Sequence, residues 1–145
     1  MKCISLTYDW YTQDKQGNVW YFGEDTREFK ADGKVITKGS WEAGVNGAQP
    51  GIIMPAQPKL GTPPYRQEYL VDEAEDMAQV VGLNETVTVP LGTFKNCVKT
   101  KEWTKLDAGE AHKWNCRGIG FVKALSSTGE IATLKSVKLQ SITER

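Results

Sequence analysis

The stretch "YDWYTQDKQGNVWYFGED", Tyr8 to Asp25, decides the fold. At its centre, Asp14-Lys15-Gln16-Gly17 puts Asp at the first and Gly at the fourth position of a type I turn, where Gly takes the left-handed conformation of a G1 bulge. That turn predicts an antiparallel hairpin pairing Gln13 with Val19, Tyr11 with Tyr21 and Trp10 with Phe22. Strand side chains alternate faces. Trp10, Thr12, Trp20 and Phe22 are therefore expected on one face, and Tyr11, Val19 and Tyr21 on the other. Aromatic cross-strand pairs stabilise such a hairpin by about 0.2–1 kcal/mol each. With both faces rich in apolar residues, one side is expected to carry core and the other a semi-buried or ligand-facing surface.

The same loop begins like a calcium site, with Asp14, Gln16 and Asn18 at alternate positions. An EF-hand needs Gly at its sixth position and Glu at its twelfth, between two helices. Here Gly17 is fourth and Asp25 twelfth, so the turn is the better reading and no metal site is expected.

Further along, "TREFKADGKVITKG" carries Asp32-Gly33, a two-residue type I′ signal that sets Phe29 opposite Ile36. Residues 39–65 hold five of the six prolines in the chain. They read as an ordered loop, too Pro-rich for a central strand, with Trp41, Ile52, Ile53 and Met54 packing it against a sheet. A loop of this length suggests a lid or rim over a cavity. Glu68, Asp72, Glu73, Glu75 and Asp76 make an acidic run best read as solvated, while residues 72–81 fit either a short helix or a strand. From Glu85 onward the pattern is antiparallel β, with a Pro90-Leu91 turn and strands over "TFKNCVKTKEWTKL", "AHKWNC", "RGIGFVKAL" and "GEIATLKSVKLQSI". Lys95, Lys99, Lys101 and Lys105 fall on one face of a strand, most simply a wet face with snorkelling stems. The expected fold is mainly β: one domain over 1–145, a curved antiparallel sheet or half-barrel of about 7–9 strands, with at most one short helix.

Composition excludes several partners. The chain has 145 residues, 18 Lys+Arg and 18 Asp+Glu, so its formal charge is zero. Nucleic-acid binding needs a clustered basic surface that this balance does not suggest, and no apolar run approaches a membrane span. "MKCISLTYDW" lacks an apolar signal region, which points to the cytoplasm for the chain as it stands. The odd cysteine count (Cys3, Cys97, Cys116) favours thiols, with a Cys97–Cys116 bridge open if their strands are neighbours.

The segments "TVTVPLGTFKNCVKTKEW" and "HKWNCRGIGFVK", together with "YDWYTQDKQGNVWYFGED", "GSWEAGVNGAQPGIIMPAQP", "YRQEY" and "AEDMA", resemble a pattern common in uncharacterised bacterial proteins, many of them exported. The resemblance covers about residues 7–125. It implies a curved antiparallel sheet of the half-barrel lipoprotein kind and an exported origin. It also implies a trimmed version of the family, lacking strands ahead of "YDWY", that completes its sheet with a second copy. Compact orphan proteins of this sort also occur as mobile-cassette products.

Catalytic signals are sparse. His112 is the sole histidine and has no nucleophile elbow to serve. No zinc spacing, P-loop or dinucleotide fingerprint is present, and no cofactor is expected. The expected function is non-catalytic binding of a small amphipathic or apolar ligand in a concave sheet lined by Trp10, Trp20, Phe22, Trp41 and Trp114. A homodimeric structural or interaction module is the alternative. A hydrolase using paired carboxylates among Asp9, Glu24, Asp25 and Glu42 is the weaker one.

Overall fold

A computed structural model describes residues 4–140, which form twelve strands and no helix. These are β1 (Ile4–Gln13), β2 (Val19–Phe29), β3 (Val35–Ile36), β4 (Trp41–Glu42), β5 (Gln49–Met54), β6 (Tyr65–Arg66), β7 (Glu68–Tyr69), β8 (Asp76–Val89), β9 (Gly92–Thr104), β10 (Glu110–Cys116), β11 (Gly120–Ser126) and β12 (Ile131–Thr133). The class is the expected mainly-β, antiparallel one. The strand count exceeds 7–9 because β3, β4, β6, β7 and β12 are only two or three residues long. The strands form two open sheets. One runs β1-β2-β5-β7, with β3 and β4 also on β2; the other runs β12-β11-β10-β9-β8-β6.

The first hairpin forms as its turn residues dictate. Gly17 N donates to Asp14 O at 3.1 Å, Gly17 sits at φ 95°, and Tyr11 lies opposite Tyr21 and Gln13 opposite Val19. One register step differs from expectation: Trp10 faces Gly23, not Phe22, because β2 carries one extra residue there. The bulge has a steric reason. A Cβ on Gly23 would lie 2.5 Å from Trp10 Cζ2 and 2.6 Å from Trp41 O, so only a glycine leaves room for the indole and the neighbouring strand. The extra residue also turns Glu24 to the same face as Tyr21.

The second hairpin corrects the Asp32-Gly33 reading. Gly33 N donates to Lys30 O, only Gly33 has positive φ, and Phe29 faces Val35 rather than Ile36. The turn is Lys30-Ala31-Asp32-Gly33, built like the first, because a type I′ turn would need positive φ at Asp32 too.

The Pro-rich segment is also corrected. Gln49–Met54 is a strand inside the first sheet, paired with β2 through Gly51, Ile52 and Met54 and with β7 through Gln49 and Pro50. Pro50 is tolerated because it lies at the strand start, ahead of the pairing with β2.

Between the sheets, "YRQEY" is the crossover. Tyr65 and Arg66 pair with β8 in the second sheet, while Glu68 pairs with β5 in the first. Gln67 between them is 2% exposed; its N–H donates to Asp76 O and its side chain to Glu102 Oε1 at 3.1 Å. Residues 72–81, left open as helix or strand, become a turn and the start of β8.

Cys97 and Cys116 lie directly opposite on β9 and β10 and form a disulfide, so the thiol reading is overturned for these two. They sit in a cluster with Val87, Val89 and Val122, while Tyr21, Trp41, Ala48 and Ala74 form a second core cluster. Cys3 and the end of the last expected strand, Ser141 and Ile142, lie outside the described residues. No helix among the described residues is long and apolar enough to cross a membrane.

Candidate functional site

Adjacent strand residues face opposite ways, and the hairpin turns Tyr11, Gln13 and Val19 toward the second sheet. There they meet Asn96 and Val98 of β9 and Asn115 of β10 across a groove of about 1060 Å³. Ile53, Met54, Ile119 and Phe121 add apolar wall, and Asn84 adds a fourth amide beside Gln13, Asn96 and Asn115. Arg117 is the one charged residue among those lining it. Pro55, Ala56 and Pro58 form a rim, pinned to the first turn by Ala56 N donating to Asn18 Oδ1 at 2.8 Å. The Pro-rich segment thus supplies both a strand and the groove's edge.

Tyr11 joins this groove to a polar interior. Its ring lies 5.0 Å from that of Tyr21, whose ring meets Trp41 edge-on at 5.2 Å. The Tyr21 hydroxyl donates to Asp9 Oδ1 at 2.5 Å and lies 3.2 Å from Glu24 Oε2. Burial, reinforced by the Asp9 charge, pushes Glu24 up to about 7. Trp41 Nε1 donates to Glu68 Oε2 at 2.7 Å. Burial pushes Glu68 up to about 9, with Asp76 and Glu24 adding to the rise. Asp76 is raised as well, chiefly by burial.

Glu102, almost fully buried, accepts from Gln67 and Thr100 and pairs with Lys113 at 2.7 Å. Burial alone would lower Lys113, but Glu102 outweighs it and the ammonium's pKa is raised. The Tyr65 hydroxyl is buried with no hydrogen-bond partner. Burial also raises Tyr21 and Tyr65 above the usual tyrosine value.

No protein-family model, curated protein or solved structure matches the chain.

The five aromatics expected to line a concave face are not brought together. Trp10 and Trp20 alternate with Asp9, Tyr11, Val19 and Tyr21, so they face outward, and Phe22 sits at the bulge, exposed. Trp20 Nε1 instead donates to Asp14 Oδ2 at 2.9 Å. Trp41 alone points inward, and it is buried core rather than groove wall. Trp114 lies between Lys113 and Asn115, both inward-facing, so it faces out, donates to Glu85 and carries Lys99 and Lys123 over its ring. The groove uses the opposite face of the first hairpin from the one expected.

Asp14 is wholly engaged as a turn hub. It accepts from Gln16 N, Asn18 N, Asn18 Nδ2 and Trp20 Nε1, and those side-chain bonds, Trp20 first, hold it down near 2. Among the described residues, no cluster of His, Cys, Asp and Glu could hold a metal ion. The acidic run is only partly solvated: Glu68 and Glu75 are each 6% exposed, whereas Asp72 and Glu73 are exposed. Three of the four stripe lysines engage neighbours: Lys99 lies over the Trp114 ring, Lys101 pairs with Glu110, and Lys105, just past β9, pairs with Glu75. Tyr11, Asn96, Val98 and Asn115, which build the groove, carried no sequence signal beyond strand alternation. Glu102 was unmarked, and nothing local told it from the exposed acids.

Proposed function

We propose that the inter-sheet groove binds a small, uncharged amphipathic molecule without chemistry upon it. The observation that carries this reading is the lining. Apolar side chains from both sheets face four amides that offer donors and acceptors but no charge. Concave, mostly apolar sites with a few placed polar groups are the usual small-molecule sites. A charged ligand would find only Arg117 to pair with in the groove.

The test uses two probes: octyl glucoside below its micelle-forming concentration and the apolar dye phenylnaphthylamine. Calorimetry and dye fluorescence should show saturable one-site binding with a rise in melting temperature. Val98→Trp, which fills the groove from β9, should abolish it. If neither probe binds, or both bind Val98→Trp as well as the native chain, the reading fails.

One observation favours a second reading, a carboxylate-dependent hydrolase. Asp9 and Glu24 share the Tyr21 hydroxyl, and Glu24 titrates near 7, where a general acid works best at neutral pH. Asp25 is not a partner in this, since it faces outward in an ion pair with Arg27. Nitrophenyl glycosides are suitable reporters. Turnover lost in Glu24→Gln with unchanged circular dichroism supports this reading, and no turnover by the native chain ends it.

A further inference from the structure

On the outward face of the first sheet, β1 presents an exposed apolar row, flanked on β2 by the Arg27–Asp25 ion pair that lies opposite Leu6 and Tyr8. Ile4, Leu6, Tyr8 and Trp10 alternate along β1, with Phe29 beside Ile4 and Val35 beside Phe29. All six are exposed, from 39% for Trp10 to 67% for Ile4. Side chains of roughly 200 Å² at about half exposure offer roughly 600 Å² of apolar surface, against about 800 Å² per partner in a standard interface.

The edge of β1 is equally open. β1 ends its sheet, so no other described strand pairs with its free side, and all ten of its residues are exposed. Natural edges are blunted by Lys, Pro or inward charges. "ISLTYDWYTQ" has no Lys, Arg or Pro, and Asp9 is its one inward charge, hydrogen-bonded by the Tyr21 hydroxyl.

We propose that β1 pairs antiparallel with β1 of a second copy, about a two-fold axis at Thr7. This register follows from the side chains. An axis on a residue keeps apolar faces aligned, whereas an axis between residues would set apolar against polar positions. Centred on Thr7, Ile4 meets Trp10 of the second copy and Leu6 meets Tyr8, joining two apolar rows of four into one. Asp9 meets Ser5, so no like charges stand opposite each other. An axis at Asp9 would oppose two carboxylates, which is destabilising. The two first sheets then become one continuous sheet, and the edge backbone groups of both copies are satisfied.

Sedimentation equilibrium on the full chain tests this. The native protein should have twice its 16.1 kDa chain mass, and the Leu6→Lys/Tyr8→Lys double variant should be monomeric with an unchanged circular dichroism spectrum. In a Cys3→Ser background, Thr7→Cys should cross-link to itself under mild oxidation, because directly opposed antiparallel residues lie at about disulfide distance. A native chain that stays monomeric from micromolar to hundreds of micromolar overturns the proposal. So does a dimer that survives the lysine substitutions, or one that Thr7→Cys cannot cross-link. If the lysine variant fails to fold, the cross-link decides.

Discussion

Trp41 and Glu68 meet through a single buried hydrogen bond, indole nitrogen to carboxyl oxygen at 2.7 Å, tying β4 to β7 within the first sheet. Trp41→Phe keeps an aromatic ring against Tyr21 but removes the donor. A buried polar group deprived of its partner costs about 1–3 kcal/mol. The urea midpoint should fall accordingly, and an unchanged midpoint would mean that the bond contributes nothing.

Stability should fall as pH rises through neutrality. Glu24 and Glu68 are raised to about 7 and about 9 from 4.5. Between those values the folded chain holds protons that the unfolded chain has released, so raising the pH favours unfolding. Both groups act from pH 4.5 to 7, and Glu68 alone from 7 to 9, while the raised Asp76 adds to the fall at the acid end. Lys113 and the tyrosines titrate above this window in both states. Asp14, held near 2, has the opposite sign, and its contribution is lost as pH falls from 3.8 toward 2. Urea midpoints at pH 5, 7 and 9 should decline in that order, and Glu68→Gln should flatten the upper half. Midpoints that rise across the series contradict the assignment.

The Cys97–Cys116 disulfide closes a chain separation of 19 residues. Constraining the unfolded chain over such a loop stabilises by about 3 kcal/mol. Cys97→Ala with Cys116→Ala should lower unfolding free energy by roughly that amount, and reduction of the native chain should raise its mass by two hydrogen atoms, one on each thiol formed. A difference within experimental error would remove the bridge from the list of stabilising features.

Gly51 lies under the crossover. A Cβ there would sit 2.3 Å from Gln67 O and 2.5 Å from Arg66 O, both backbone atoms with little room to move. Gly51→Ala should therefore cost about 1–3 kcal/mol or more, as overpacking does. Retained native stability would show that the crossover can shift.

What was legible was local. The first turn and the pairing of Tyr11 with Tyr21 follow from Asp14 and Gly17, because a four-residue turn sets the register of the strands it joins. The bulge was not legible, since Gly23 looks like any glycine until the Trp10 ring lies on it. That one extra residue changes which side chains share a face. Glu75 and Glu73 stand two apart in the same run, yet one is buried beside Lys105 and the other exposed.

By itself the sequence determined the β class, the turn and inner pairing of the first hairpin, the Pro90-Leu91 turn and the strands β9 to β11 that follow it, though not the long last strand, of which only Ile131–Thr133 forms, because turn chemistry and alternation act over a few residues. Tertiary structure alone decided that the sheet splits at Gln67, that Cys97 meets Cys116, and that Tyr11 rather than Trp10 looks into the groove. Each of these depends on contacts between segments far apart in the chain, where burial and steric fit outweigh what neighbouring residues prefer.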